Sequence, residues 1–240
     1  MALLQLKGIS KSFRGLRAVA DVSLSVEPGH IVALIGPNGA GKTTCFNMIA
    51  GVLAPDGGEI VFDGRRIDGL RPDQVCAAGV GRTFQLVKPF AGLSVLENVI
   101  VGALHQARNV AQARSKALSI LDRLGLADQH DRPASSLTLP DRKRLEVARA
   151  LATGPKVLLL DEVMAGLRPT ETDQMVSVFR RLNEEHGLTI VLIEHVMRAV
   201  MALSREIHVL HHGELIATGS PDEVVRDAAV IRCYLGEGAL

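Results

Sequence analysis

Hydrophobic positions along the chain follow two rhythms. Near the N-terminus, LLQLKGI and DVSLSVEPG alternate apolar with polar residues, as strands covered on one face do. IVALIG, KVLLLDE and TIVLIE are unbroken aliphatic runs of strand length, which predicts a sheet buried on both faces. EIVFDG, residues 59–64, predicts a further strand ending in a turn. Helical spacing fills the intervals. One helix starts just after Gly41 and ends near Gly51. A helical stretch runs from about 95 to 124, with Leu118, Leu121 and Leu124 three apart and Gly125 as its C-cap. Another helix opens at LPDRKR with Thr138 as cap and Asp141 three residues on. The last long one covers about 170–186 and ends at Gly187. REIHVLHHGELIATG predicts a hairpin turning near Gly213, with His211 and His212 on the turn surface, and the tail predicts a short helix.

Strands alternating with helices imply a mainly parallel sheet covered by helices, an α/β fold. The hairpin-like strands at both ends add antiparallel pairing, and the strandless stretch in the middle reads as a helical insertion. The expected organisation is one domain over 1–240: a catalytic core from 1–91 and about 136–240, with a helical subdomain at about 92–135. No repeat, low-complexity linker or long coiled coil interrupts it.

Charge narrows the partners. Lys plus Arg is 27 and Asp plus Glu is 26, a net charge of +1 over 240 residues. Such a balance supplies no field for holding nucleic acid or an acidic lipid surface, so no nucleic-acid partner is expected. At 47% apolar residues the chain can bury a large core. No apolar run reaches the roughly 18 to 20 residues that cross a bilayer. MALLQLKGISKSF is too short and too early charged for a secretory leader, so a cytoplasmic protein is expected. The three cysteines form no metal pattern and read as buried thiols. Cys45 is the exception, because a thiolate is favoured in the first turn of a helix.

Four segments carry chemistry. GPNGAGKTT (Gly36, Pro37, Asn38, Gly39, Ala40, Gly41, Lys42, Thr43, Thr44) matches G-x-x-x-x-G-K-[ST] between a strand and a helix. The glycines let the backbone turn its N–H groups inward, and the helix N-terminus adds a field that favours phosphate. Lys42 reaches β- and γ-phosphates, the Thr43 hydroxyl suits Mg²⁺, and Thr44 can bond phosphate. KVLLLDE delivers Asp161 and Glu162 to the carboxyl edge of the sheet, where ligands of such sheets bind. Asp161 suits Mg²⁺, directly or through water. Glu162 either polarises an attacking water or caps the next helix. TIVLIEH brings His195 to the same edge, within reach of a γ-phosphate. RTFQ ends in Gln85, suited to Mg²⁺ or water.

Together and in this order, these segments resemble the ATP-binding cassette (ABC) family of transport ATPases, with a phosphate-loop NTPase fold. GPNGAGKTT matches the family's Walker A loop, Gln85 its Q-loop, VLLLDE its Walker B strand and catalytic glutamate, and His195 its switch histidine. The resemblance spans nearly the whole chain. It is strongest to the ATPase subunits of branched-chain amino acid importers, through GRTFQLVKPFAGLSVLENV, RLEVARAL, LIEHVM and VIRCYLGE.

The resemblance implies ATP and Mg²⁺ as ligands and ATP hydrolysis coupled to uptake of branched-chain amino acids or related small polar solutes. It implies a head-to-tail dimer with a second ABC ATPase subunit or with itself, two transmembrane permease subunits, and indirectly a solute-binding protein. The chain would then sit peripherally on the cytoplasmic face of the inner membrane. Phe13 falls where the family stacks an aromatic on adenine; a core Phe is the rival reading. A non-transport ABC ATPase, or a nucleotide-dependent scaffold with little hydrolysis, is the alternative.

Three departures stand out. Where the family's signature reads LSGGQ, this chain has Leu137, Thr138, Leu139, Pro140 and Asp141. Thr138 keeps a hydroxyl for a γ-phosphate bound in trans, but Pro140 removes an N–H and Asp141 adds negative charge; a plain helix cap is the competing reading. Val163 replaces a common Pro, and Arg168 a common Asp of the D-loop, which the family uses for communication across the dimer. An asymmetric dimer follows, in which this chain's own nucleotide bed works and the partner's bed is slower.

Overall fold

The computed structural model describes residues 1–84 and 88–235; Gln85 lies outside them. Ten strands and nine helices are formed within that range. The first two strands, β1 (Leu4–Phe13) and β2 (Leu16–Val26), make a hairpin, then β3 (Ile31–Ile35) leads into α1 (Lys42–Ile49). β4 (Gly57–Phe62), β5 (Arg65–Arg66), α2 (Pro72–Ala78) and β6 (Val80–Arg82) follow. The middle is helical: α3 (Val95–Ala103), α4 (Val110–Arg123) and α5 (Leu139–Ala152). β7 (Val157–Asp161), α6 (Pro169–His186), β8 (Thr189–Ile193) and α7 (Met197–Leu203) return to alternation. The chain then forms β9 (Glu206–His211), β10 (Glu214–Gly219), α8 (Pro221–Val224) and α9 (Ala228–Leu235).

Two sheets result. A six-stranded sheet has the order β10-β9-β3-β8-β7-β6, parallel except for β10. A four-stranded antiparallel sheet has the order β2-β1-β4-β5. The continuous aliphatic strands β3, β7 and β8 are buried at every position. Because successive side chains point to opposite faces, each strand feeds two cores. Ile31, Ala33, Leu158, Leu160, Ile190 and Leu192 pack with α3 to α6. Val32, Leu34, Val157, Leu159, Val191 and Ile193 pack with α1 and the inner face of the antiparallel sheet.

The stretch expected to be helical from 95 to 124 is two helices. Asn109 stops continuity by capping α4, its side chain accepting from the Gln112 N–H at 2.8 Å. α3 and α4 then bury their small residues, Ala103, Ala113 and Ala117, against each other and α5. The hairpin turn is made by His212 and Gly213, both at positive φ. Short α2 carried no periodic signal.

Cys45 corrects the expectation of a reactive thiolate. It is fully buried in the core beneath the first turn of α1, and burial pushes its thiol up to about 12. Desolvation outweighs the helix field.

α3 approaches α5 closely enough that a Cβ on Gly102 would stand 2.6 Å from the Arg149 carbonyl oxygen, whereas one on Gly92 would meet nothing within 4 Å. Gly102→Ala should therefore destabilise the fold by about 1–3 kcal/mol in urea unfolding. Gly92→Ala should change the midpoint far less.

Candidate active site

Parallel register brings the chemistry-bearing residues to one edge. Asp161 pairs with Ile193, Arg82 with Leu159 and Ile35 with Val209, so each strand's carboxyl end opens on the same side. The loop 36–41 leaves β3 there, Asp161 and Glu162 leave β7, and Glu194 and His195 leave β8.

Gly36, Gly39 and Gly41 all have positive φ, at 148°, 81° and 103°. A side chain at Gly36 would strike the Leu210 carbonyl, and one at Gly41 the Ala18 carbonyl. Lys42, 6% exposed, donates from Nζ to the carbonyls of Gly36 at 2.7 Å and Pro37 at 2.9 Å. Burial lowers its pKa, and the charges of Glu162 and Asp161 oppose that shift. The Tyr234 side chain of α9 also hydrogen-bonds the backbone of Gly36.

Asp161 is 2% exposed. Its Oδ2 accepts from Arg82 Nη2 at 3.0 Å, and its N–H donates to Thr83 Oγ1 at 3.1 Å. Burial raises its carboxyl pKa, against the opposing pull of Arg82. Among the described residues, Oδ1 has no hydrogen-bond partner. Asp161 and Thr43 face one cleft of about 520 Å³. A buried carboxylate oxygen and a hydroxyl beside a phosphate loop are hard oxygen donors, and they fit Mg²⁺ completed by nucleotide phosphates and water. Among the described residues no group of three His, Cys, Asp or Glu could hold a metal without such help.

Glu162 follows in the left-handed region, φ 51°. For a non-glycine residue this conformation costs of order 1–3 kcal/mol and needs support from its surroundings. Its N–H donates to the Ile193 carbonyl at 2.9 Å, and its carbonyl accepts from Lys143 Nζ at 3.0 Å. The turn aims its carboxylate at His195, with Oε1 3.1 Å from Nε2. In that bond the ring nitrogen donates to the carboxylate.

Three contributors were not read from the sequence: Arg82, Lys143 and Glu194. Glu194, 2% exposed, accepts the Met164 N–H at 2.8 Å and so anchors the loop after Glu162. Burial pushes its carboxyl up to about 7, against the attraction of Lys143. Lys143 is itself buried on α5, its pKa lowered by desolvation. The only available sign was charge inside otherwise aliphatic or helical runs.

Two expected residues stand apart from this cluster. Phe13 ends β1 and is 42% exposed, with Lys11 Nζ 5.9 Å from its ring. It is not a core residue, and its hairpin partner β2 backs the phosphate loop at Ala18. Thr138 caps α5: its Oγ1 accepts from the Asp141 N–H at 3.4 Å and donates to Asp141 Oδ2 at 2.8 Å.

Fold and edge together define a phosphate-loop nucleotide-binding protein. The chain belongs to the ABC transporter family, whose sequence profile matches residues 19–165. A second profile, described as branched-chain amino acid ATP-binding cassette transporter, matches residues 214–239. The high-affinity branched-chain amino acid transport ATP-binding protein LivG of Salmonella typhimurium is 42% identical, covering 98% of each chain. A nucleotide-free ATP-binding cassette from an ABC transporter superposes with a TM-score of 0.90 at 31% identity, covering 99% of this chain and 100% of the other. A dimeric post-hydrolysis cassette bound to ADP and Pi superposes with a TM-score of 0.82 at 26% identity, over 91% and 98%.

Glu194 gives a test of the buried charges. The folded state holds its proton up to about pH 7, while the unfolded chain releases it near 4.5. Between those values the native state binds more protons, so stability falls as pH rises. With Lys143, Glu162 and His195 around it, this contribution should reach on the order of 3 kcal/mol at pH 8. Urea midpoints of Glu194→Gln should therefore fall less between pH 5 and pH 8 than those of the unaltered chain. Equal slopes would mean that Glu194 ionises as it does in water.

Proposed function

We propose that the chain is the ATP-binding and ATP-hydrolysing subunit of an importer for branched-chain amino acids or related small polar solutes. The observation that carries this reading is the convergence of the loop 36–44, Asp161, Glu162 and His195 on one sheet edge. The two profile matches and the LivG relative support the transport role and the solute class.

In this reading the inward amides of 36–44 and the N-terminus of α1 cradle the β- and γ-phosphates. Lys42 bonds phosphate oxygens. Phe13 stacks on adenine. Thr43, Asp161 and Gln85 would hold Mg²⁺, which when bound neutralises phosphate charge. Glu162, aimed by its left-handed turn, orients a water on the γ-phosphorus and accepts its proton. The new P–O bond forms as the bridging oxygen departs with ADP. His195 keeps Glu162 in place and bonds a γ-phosphate oxygen. Placement and charge stabilisation suffice for this chemistry.

Two nucleotides would be enclosed in a head-to-tail dimer. Thr138 would face the partner's γ-phosphate, weakened because its hydroxyl already donates to Asp141. Among the described residues no helix is long and apolar enough to cross a membrane. In this reading the transport path belongs to transmembrane subunits, and this chain is peripheral to them. A groove of about 280 Å³ lined by Val52, Phe84, Phe90 and Val101, all exposed apolar residues, suits a cytoplasmic segment of a permease.

Glu162→Gln should bind ATP with unchanged affinity while turnover falls by about 10²-fold or more, measured by calorimetry and phosphate release. Undiminished hydrolysis would remove Glu162 from this role. Lys42→Ala should instead lose nucleotide affinity. Purification of the chain from membranes should bring down transmembrane subunits.

A further inference from the structure

We propose that Arg82 is a positioning residue that fixes how the Asp161 carboxylate meets Mg²⁺. The inference rests on the nucleotide-dependent reading above and names a further residue of the same site. Arg82, Phe84, Glu146 and Arg149 line both the groove and the cleft that holds Thr43 and Asp161. They are the wall between the two spaces.

Of these four, Arg82 reaches the carboxylate. Its side chain is 9% exposed and lies at the end of β6. Nη2 donates to Asp161 Oδ2 at 3.0 Å, and Nη1 donates to Asn47 Oδ1 of α1 at 2.6 Å. One oxygen of Asp161 is thereby engaged, and the fork dictates where Oδ1 points. The guanidinium carbon lies 5.9 Å from the ring of Phe46, which is fully buried, and 5.6 Å from the ring of Phe84, which is 57% exposed in the groove. The same group therefore lies between a fixed core ring and a surface ring.

α5 steadies the far side of this wall. The Glu146 carboxylate accepts the Phe84 backbone N–H and pairs with Arg149 at 2.8 Å. Arg149 in turn donates to the Lys88 carbonyl at 3.2 Å and lies 4.7 Å from the Phe90 ring. The Nε of Arg82 itself is buried with no partner among the described residues. Its two anchored nitrogens hold the charge beside Asp161. Small displacements of a metal-facing group have large effects.

The test is titration calorimetry of the full chain with ATPγS, in EDTA and in Mg²⁺, to read the affinity gained from the metal. Arg82→Met should cut that gain by about tenfold while leaving the affinity in EDTA close to that of the unaltered chain. Arg82→Lys, which keeps charge but loses the fork, should fall between. Asp161→Asn should remove most of the gain, and adding Arg82→Met to it should change nothing more. Phe84→Ala, at an exposed position that folding tolerates, should lower the gain a few-fold and keeps the test open if Arg82→Met does not fold. An unchanged gain in Arg82→Met or Phe84→Ala, or additive losses with Asp161→Asn, would overturn the proposal and leave the nucleotide reading standing. No heat from the unaltered chain in either buffer would remove both.

Discussion

The phosphate loop is held between two neighbouring backbones, and this confinement governs the rest of the edge. Gly36 lies against the carbonyl of Leu210 at the end of β9, and Gly41 against that of Ala18 in β2. No side chain fits at either point. The antiparallel hairpin and the central sheet therefore meet through the loop itself, joined also by the Ala20 N–H donating to the Gly213 carbonyl at 2.8 Å. Binding groups are thus set by how two sheets pack, which makes their positions as rigid as the core.

Around that loop the protein gathers buried charge and balances it unevenly. Asp161 and Glu194 are taken out of water and their carboxyl pKa values rise; Lys42 and Lys143 are taken out of water and theirs fall. Each sign is set by desolvation, with the opposite charges opposing it. The arrangement gives up folding stability to hold Glu162 in a turn it would not adopt alone. Lys143 on its carbonyl and Glu194 on the Met164 N–H bracket that turn from two different elements.

The central sheet was legible because its aliphatic runs have strand length, are rich in β-branched residues and alternate with helical stretches, and the glycine loop because its spacing is tied to its chemistry. Gly187 and Gly125 punctuate helix ends at positive φ, as composition suggested. Legibility failed where a partner lies far along the chain. Arg82 meets Asp161 across 79 positions, and Met164 meets Glu194 across 30, so neither segment alone advertises the pairing. Cys45 misled because a helix start favours a thiolate only where water or a cation reaches it. The break between α3 and α4 was hidden by an Ala-rich, charged stretch in which only Asn109 marks the stop.

The Lys42 ammonium is already engaged by two carbonyls of its own loop. With three donors on the ammonium, one stays open, so the loop positions its own lysine without using up its hydrogen bonds. The cation is thus preorganised, its carbon stem already folded over the loop, so the entropic cost of fixing a long flexible side chain falls on folding rather than on binding.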